Sequence, residues 1–283
     1  MTYMKNFIYF CENLDILNSL EDESVDLVYI DPPFNTGKQQ ARKQIRVERD
    51  TNGDRVGFGG QRYLTEIVGE RAYGDRFDDY LGFLEPRLQA VHRILKSDGS
   101  LYFHIDYREV HYCKVLLDEI FGRESFINEI IWAYDFGGRS KNRWPAKHDN
   151  ILFYAKDPTH YTFNREEVDR IPYMAPGLVG KKKAAKGKFP TDTWWHTIVG
   201  TNSKEKTGYP TQKPVGVLRR IVAASSNPGD LVLDFFAGSG TIGEVCLSMG
   251  RRFILVDDNP QAIAVMQKRF QGEGTIEWVG VES

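Results

Sequence analysis

The position of one short unit constrains this chain more than any other feature. An apolar run, Asp230-Leu-Val-Leu233, leads into the glycine-rich segment Asp234-Phe-Phe-Ala-Gly-Ser-Gly240. An amphipathic stretch from Thr241 to Met249 follows, and then a second apolar run, Arg252 to Val256, that ends at Asp257. Short apolar runs bounded by chain breakers read as buried parallel strands. A strand, a glycine turn, a helix and another strand normally open a nucleotide-binding half-sheet, with further strands after them. Here only 26 residues follow Asp257. The other strands must come from the amino-terminal part of the chain. The expected fold is therefore an α/β sheet flanked by helices, in circularly permuted order.

The amino-terminal part supplies the missing elements. Phe7 to Phe10, Asp26 to Ile30, Ser100 to Ile105, Ile127 to Tyr134 and Ile151 to Tyr154 read as strands. Asp15 to Leu20, Phe77 to Leu95 and Val110 to Phe121 read as helices, as do Pro214 to Ser225 and Pro260 to Phe270. Residues 35–74 are rich in glycine and charge with weak periodicity, which predicts a long mobile loop of the kind usually kept for function. Residues 157–208 hold prolines at 158, 172, 176 and 190, a lysine cluster, and Trp194 and Trp195. That stretch reads as an inserted recognition region. It separates residues 1–156 and 209–283, two halves of one domain.

The glycine-rich segment allows two readings. Gly238, Gly240 and Gly243 satisfy the dinucleotide fingerprint, with Asp257 placed to hold a ribose, so a dehydrogenase must be weighed. Close strand–helix packing without a ligand would also use those glycines. Asp234 before the glycines, the bulky Phe235 and Phe236, and the permuted order favour a sulfonium cofactor, which has no pyrophosphate. Asp234 and Asp257 would hold its amino and ribose groups, and Phe236 would lie against adenine.

Asp31-Pro-Pro-Phe34 ends the strand Asp26 to Ile30, where open α/β sheets bind ligands. The amine of a nucleobase is a poor nucleophile because its lone pair is delocalised into the ring. A carboxylate at Asp31 and the carbonyl of Pro32 can accept its two hydrogens and turn the lone pair outward. Pro32 and Pro33 fix the backbone before substrate arrives, and Phe34 offers a stacking face. An acidic turn at a strand end would also fit Asp-Pro alone. The second proline, the aromatic and Asn35-Thr36-Gly37 favour chemistry, and the pairing with the glycine turn indicates methyl transfer to an amino group.

Net charge is −2, which by itself does not mark a nucleic-acid binder, but the cations are clustered. Lys181, Lys182, Lys183, Lys186 and Lys188 crowd one stretch, and Arg139, Lys141, Arg143 and Lys147 another. Lys38, Arg42 and Lys43 begin a third, more mixed with acids. One such cluster would be solvated surface, whereas three beside a candidate catalytic segment indicate phosphate contacts. Trp194 and Trp195 are expected to pack within the inserted region rather than wedge into DNA. His104 lies on a strand that reads as buried and is expected to be a core histidine with satisfied nitrogens. Cys11, Cys113 and Cys246 are isolated, so no disulfide framework or zinc ribbon is expected, and no metal. No apolar run reaches membrane-span length and no signal-peptide pattern opens the chain, so a cytoplasmic location is expected.

Taken together, these segments resemble the beta group of DNA amino-methyltransferases, in which the catalytic motif precedes the recognition region and the cofactor motif comes last. The resemblance rests on Cys11-Glu-Asn-Leu14, Ser24-Val-Asp-Leu27, Asp31-Pro-Pro-Phe-Asn-Thr-Gly37, Thr211-Gln-Lys-Pro214, Asp234 to Thr241 and Arg251 to Asp257. It implies a Rossmann-like methyltransferase sheet that binds S-adenosylmethionine. By resemblance Asp31, Pro32 and Phe34 are catalytic, and Phe236, Gly238, Ser239, Gly240, Thr241 and Asp257 line the cofactor pocket. Lys213 resembles the segment holding the cofactor's methionine end, or is a solvated helix-start residue. The chain departs from the family's usual Gly-Asp-Asn-Leu at Cys11-Glu12-Asn13-Leu14, where Glu12 and Asn13 would still face the cofactor. Cytosine-C5 chemistry needs a Pro-Cys pair, which is absent. The acceptor is then an exocyclic amine of a flipped base in double-stranded DNA, with adenine N6 expected and cytosine N4 the alternative. An RNA base, a protein glutamine or a non-enzymatic DNA-binding role are weaker readings. A homodimer and a cognate restriction endonuclease are possible partners for the family.

Overall fold

A computed structural model of the chain describes residues 5–35, 38–49, 55–56, 62–75, 77–138 and 140–281; the side chains of residues 36–76 lie outside that description. The chain divides into two compact units, Met1–Pro32 with Leu81–Ser283, and Pro33–Tyr80.

Among the described residues, nine strands of the first unit form one mixed sheet. They are β1 (Asn6–Phe10), β2 (Val25–Ile30), β6 (Leu95–Ile105), β7 (Phe126–Ala133), β8 (His148–Ala155), β9 (Thr193–Trp195), β10 (Leu231–Asp234), β11 (Arg252–Asp257) and β12 (Ile276–Val279). Their order across the sheet is β12-β1-β11-β10-β2-β6-β8-β7-β9. β10 and β2 lie side by side and parallel, with Val232 opposite Leu27 and Leu233 opposite Val28. From that pair the chain proceeds outward in opposite directions, β10 to β11 and β2 to β6. The permuted α/β fold expected from the sequence is the one observed.

The central strands are buried on both faces because their side chains are apolar at nearly every position. Leu27, Val28, Ile30, Val232 and Leu233 are fully buried. The helices bury one face each. In α3 (Val110–Phe121) that face is Val110, Cys113, Leu116, Leu117 and Phe121, and in α5 (Val215–Ser225) it includes Val217, Leu218, Ile221 and Val222. α3 stops at Gly122, whose φ of 88° few other residues accept and whose N–H donates to Asp118 O at 3.0 Å. α7 (Pro260–Arg269) starts on an Asn259 cap that accepts from Gln261 N at 2.9 Å. Asp26 ties the sheet's amino-terminal edge together by accepting Leu231 N–H at 2.8 Å while pairing with Lys96 at 2.6 Å. No described helix is long and apolar enough to cross a membrane.

Three expectations need correction. Residues 35–74 are not one long loop: β3 (Lys38–Arg49), β4 (Arg55–Val56) and β5 (Arg62–Asp75) form an antiparallel sheet in the second unit. The strand signal was present in the alternation Ile45, Val47 and Tyr63, Thr65, Ile67, but dense charge diluted it. The register sets Arg46 opposite Glu66 and Lys43 opposite Glu70. Second, residues 157–208, in which no regular element was expected, supply a strand to the main sheet. β9 joins the sheet parallel to β7, and Trp194 is buried in the same core as Trp132. Third, the lysine cluster is helical, forming α4 (Lys181–Lys186).

Candidate active site

The candidate site lies at the carboxyl ends of β10 and β2, the place where the chain proceeds outward in opposite directions and where open α/β sheets bind ligands. Asp234 closes β10 and Asp31 follows β2, so two acids that are far apart in sequence end adjacent strands.

The glycine turn is built by backbone geometry. Gly238 (φ 51°) and Gly240 (φ 70°) adopt left-handed conformations, and Gly240 caps α6 (Thr241–Met249). A Cβ on Gly238 would lie 3.0 Å from the Tyr209 ring. Gly243 packs against Leu255 and Phe270, so this third glycine serves strand–helix contact. Asp257, at the end of β11, accepts Gly238 N–H at 2.7 Å and Asn259 N–H at 2.9 Å. Burial, opposed by those two N–H donors, raises its pKa to about 6. Asp234 accepts Phe236 N–H at 3.0 Å; burial, with Asp31 and Asp257 nearby, holds it well above the usual carboxylate range. Three acids around one turn create a field that a cationic ligand relieves. Ser239 and Thr241 are buried with their hydroxyls 2.9 Å apart.

Asp31 is largely buried, and the loop before α5 sends Lys213 onto its Oδ2 as an ion pair. The other oxygen, Oδ1, is buried and makes no hydrogen bond among the described residues. A buried acceptor left in that condition costs about 1–3 kcal/mol, which makes it a plain candidate for an incoming N–H. Lys213 therefore sits on the candidate catalytic acid rather than standing as a solvated helix-start residue. Its loop is held by Glu205, which accepts Val215 N–H at 2.8 Å, and by Gln212, bonded to Glu205 O and Thr207.

Glu12 and Asn13 both make contacts that hold the fold. Glu12 caps α1 (Asn13–Ser19) by accepting Asn13 N–H at 2.6 Å, and its other oxygen pairs with Arg87. Asn13 donates to Phe235 O at 3.1 Å and accepts from Arg87 Nε at 2.8 Å, so it fastens α1 to the glycine segment. Arg87 was missed in the sequence. It projects from α2 (Tyr80–Ile94) with its guanidinium 3.7 Å from the Phe83 ring centre, and Phe83 in turn meets Phe236 at 6.1 Å. The signal was an arginine on the apolar face formed by Leu84, Leu88 and Val91.

Pro33 and Phe34 begin the second unit. There Pro33 O accepts from the Tyr80 hydroxyl at 2.7 Å, and Asn35 Oδ1 accepts Phe77 N–H at 3.1 Å. Of the basic candidates, Lys141 and Arg143 are exposed on the β7–β8 connection. The register Ile105–Asn150 and Ala133–His148 brings that connection to the same sheet edge as Asp31. Trp144, almost wholly exposed at 96%, stands beside them. Trp195 is also exposed, at 73%, so only Trp194 packs as expected. Lys181, Lys182 and Lys183 are exposed on α4. Arg139 and the side chains of Lys38, Arg42 and Lys43 lie outside the described residues.

A family model described as DNA methylase, of the N6/N4 type, matches residues 25–268. This chain belongs to that family. Among its relatives, the type II methyltransferase M.HpaI of Haemophilus parainfluenzae is 30% identical over 264 residues, which cover 93% of this chain and 74% of that protein. The DNA adenine methyltransferase YhdJ of Escherichia coli is 30% identical over 266 residues, covering 89% and 78%. The fold of this DNA methylase matches the PvuII cytosine-N4-specific DNA methyltransferase at a TM-score of 0.64 and 17% identity, over 96% of this chain and 88% of that one. It also matches a putative DNA modification methylase from Thermus thermophilus complexed with S-adenosyl-L-methionine, at a TM-score of 0.60 and 19% identity, over 98% and 100%.

Proposed function

We propose that this DNA methylase transfers a methyl group from S-adenosylmethionine to N6 of an adenine flipped out of double-stranded DNA. The observation that carries this reading is the buried, unbonded Oδ1 of Asp31 beside the glycine turn, on adjacent strands. The pocket residues fit the cofactor: three clustered acids suit a sulfonium cation, Asp257 suits ribose hydroxyls, and Phe236 suits an adenine ring. Ser239 and Thr241 lie on the same turn, whose path Gly238 and Gly240 set by their positive φ. When bound, the cofactor supplies an electrophilic methyl group.

The protein's part is orientation and charge. Asp31 Oδ1 and the Pro32 carbonyl accept the amine hydrogens, which aims the nitrogen lone pair. The carboxylate then favours positive charge as it develops on nitrogen. Phe34 stacks on the extruded base, offsetting the few kcal/mol that flipping costs. Lys213 holds the second oxygen of Asp31, so only one lobe of the carboxylate faces substrate. Adenine is favoured over cytosine by Asp31-Pro-Pro-Phe with Asn35-Thr36-Gly37, and by the adenine relative YhdJ. Incubation with unmethylated DNA and labelled cofactor, followed by nucleoside mass spectrometry, is expected to give N6-methyladenine. N4-methylcytosine instead would reassign the base while leaving the chemistry in place.

Residues 157–208 serve as the target-recognition region in this reading, and α4 grips the phosphate backbone. Its lysines have no acid among them to neutralise their mutual repulsion. Lys181, Lys182 and Lys183 together replaced by alanine are expected to weaken DNA binding and to reduce the slope of log K against log salt by roughly 2–3. An unchanged slope in a fluorescence anisotropy titration would remove α4 from the interface.

Asp257 gives a pH prediction. Its folded pKa of about 6 exceeds that of an unfolded aspartate, so the folded state binds the proton more tightly. Its contribution to stability is therefore greatest below the unfolded value and is lost as pH rises toward 6. Keeping it ionised at neutral pH costs roughly 3 kcal/mol. A cofactor whose hydroxyls donate to the carboxylate needs the ionised form. Affinity for S-adenosylmethionine is expected to rise several-fold between pH 5 and pH 7, as read by calorimetry, and to lose that dependence in Asp257→Asn.

A further inference from the structure

Behind Asp31 lies a buried polar chain that the orientation of the amine does not require. His104, on β6, is fully buried. Its Nδ1 is 2.8 Å from the Tyr29 hydroxyl on β2 and 3.9 Å from Asp31 Oδ1, the oxygen without a hydrogen bond. On the far side, Nε2 is 3.4 Å from Asp149 Oδ2 on β8, and Asp149 Oδ1 accepts the Tyr134 hydroxyl at 3.0 Å. Trp132 on β7 closes the cage with its ring edge-on to the imidazole at 5.5 Å. Burial keeps Tyr29 a phenol well above its usual range, so it donates. Asp149 is held below the usual carboxylate range against its own burial by His104, Lys213 and Tyr134, so it accepts. With Nε2–H given to Asp149 and the phenol given to Nδ1, the basic nitrogen of His104 faces the catalytic acid. Core packing needs none of this: an apolar residue at 104 would spare the desolvation of a buried acid and imidazole.

We propose that His104, backed by Asp149, is a positioning residue and proton acceptor for Asp31, a role resting on the methyl-transfer reading above. The amine nitrogen forms its bond to the methyl carbon as the methyl–sulfur bond breaks and the sulfur keeps that electron pair. The nitrogen, now positive, releases one N–H proton to Asp31 Oδ1. That proton passes to His104 Nδ1, the Tyr29 hydroxyl turning to accept from it, and the imidazolium is stabilised by the Asp149 carboxylate. Asp31 is thereby ionised while the product is bound, and His104 returns the proton through Asp31 to solvent once the methylated base has left. The titratable and charged groups around His104 are Asp31 and Tyr29 at the end of β2, Asp149 on β8 and Tyr134 just after β7, with Lys213 acting on Asp149 and Asp234 on Tyr29.

The test compares wild type with His104→Gln, His104→Asn and Asp149→Asn at saturating cofactor and DNA, by single-turnover rate across pH 5.5–8.5. Each variant is expected to lose about 10- to 100-fold in rate with unchanged cofactor and DNA affinity, and His104→Gln to flatten the acid limb. Wild-type rate and pH profile in both His104 variants overturn the proposal, as does a loss confined to affinity. A second readout is independent of turnover. Nitrogen-resolved NMR of the imidazole is expected to show the Nε2–H tautomer, and Asp31→Asn is expected to shift the His104 ring-nitrogen resonances. An Nδ1–H tautomer, or no shift, overturns the inference even if methyl transfer is confirmed. Coupling in the NMR without methylation of any base would instead remove the methyl-transfer reading.

Discussion

Asp31→Ala is expected to lower single-turnover methyl transfer by about a thousandfold or more, while the affinity for S-adenosylmethionine changes little. Two effects compete in that variant. Removing the carboxylate takes away the acceptor that aims the amine, and it also leaves Lys213 buried beside Asp234 without its partner. Breaking a buried pair from one side typically costs about 3–5 kcal/mol. Lost activity could therefore be ascribed to lost fold. The double variant Asp31→Ala/Lys213→Ala separates the two: thermal stability is expected to return toward wild type, whereas methyl transfer is not. Asp31→Asn adds a finer test, since it keeps an acceptor oxygen and loses the charge. Full activity in either single variant would remove Asp31 from the chemistry.

Gly240→Val is expected to abolish cofactor binding and to lower stability by about 3–5 kcal/mol. The reasons are local and additive. At φ 70° a β-branched residue is strained, and its Cβ would lie 2.8 Å from Met266 Cγ and 3.0 Å from the Phe270 ring. Both neighbours are fully or nearly fully buried and cannot retreat. Gly250→Val is the control, because that glycine has a similar φ of 72° but nothing within 4 Å of its Cβ. Denaturant midpoints for the two variants divide backbone strain from collision. Equal losses in both would show that the turn depends on backbone conformation alone.

The sheet was legible because its strands are apolar runs punctuated by glycine, proline and aspartate, and the late glycine turn forced the permuted order. The ends of β2 and β10 could likewise be read as neighbours, because each delivers an acid at a strand terminus. Partnerships between side chains were not legible. Nothing local to Lys213 says that it reaches Asp31, 182 residues away. Glu12 reads as a ligand contact until Arg87, from another helix, takes its carboxylate. His104 reads as an ordinary core histidine because Asp149 and Tyr29 arrive from two different strands. The antiparallel strands of residues 38–75 were obscured for another reason. Their sequence is so highly charged that period-two alternation survives only at scattered Ile, Val and Tyr positions. Residues 157–208 show no periodicity of their own, and the register of β9 is set by β7.

The placement of β1 also governs when this enzyme can exist. β1 is made before the other strands of the sheet, yet its two neighbours there are β11 and β12, and its Asn6 side chain accepts from Phe253, 247 residues later. β2 likewise meets β10 through Asp26 and Leu231, 205 residues apart. At roughly 5–20 residues per second, a ribosome holds the catalytic strand for tens of seconds before its cofactor strand emerges. Throughout that interval β1 and the β10-facing edge of β2 lack their partners in the sheet. Chains released early, before about residue 257, keep the catalytic motif and lack the glycine turn or its supporting acid. On the function proposed above such fragments are expected not to methylate DNA, so each active molecule is one whose translation ran past the last strand of the proposed cofactor site.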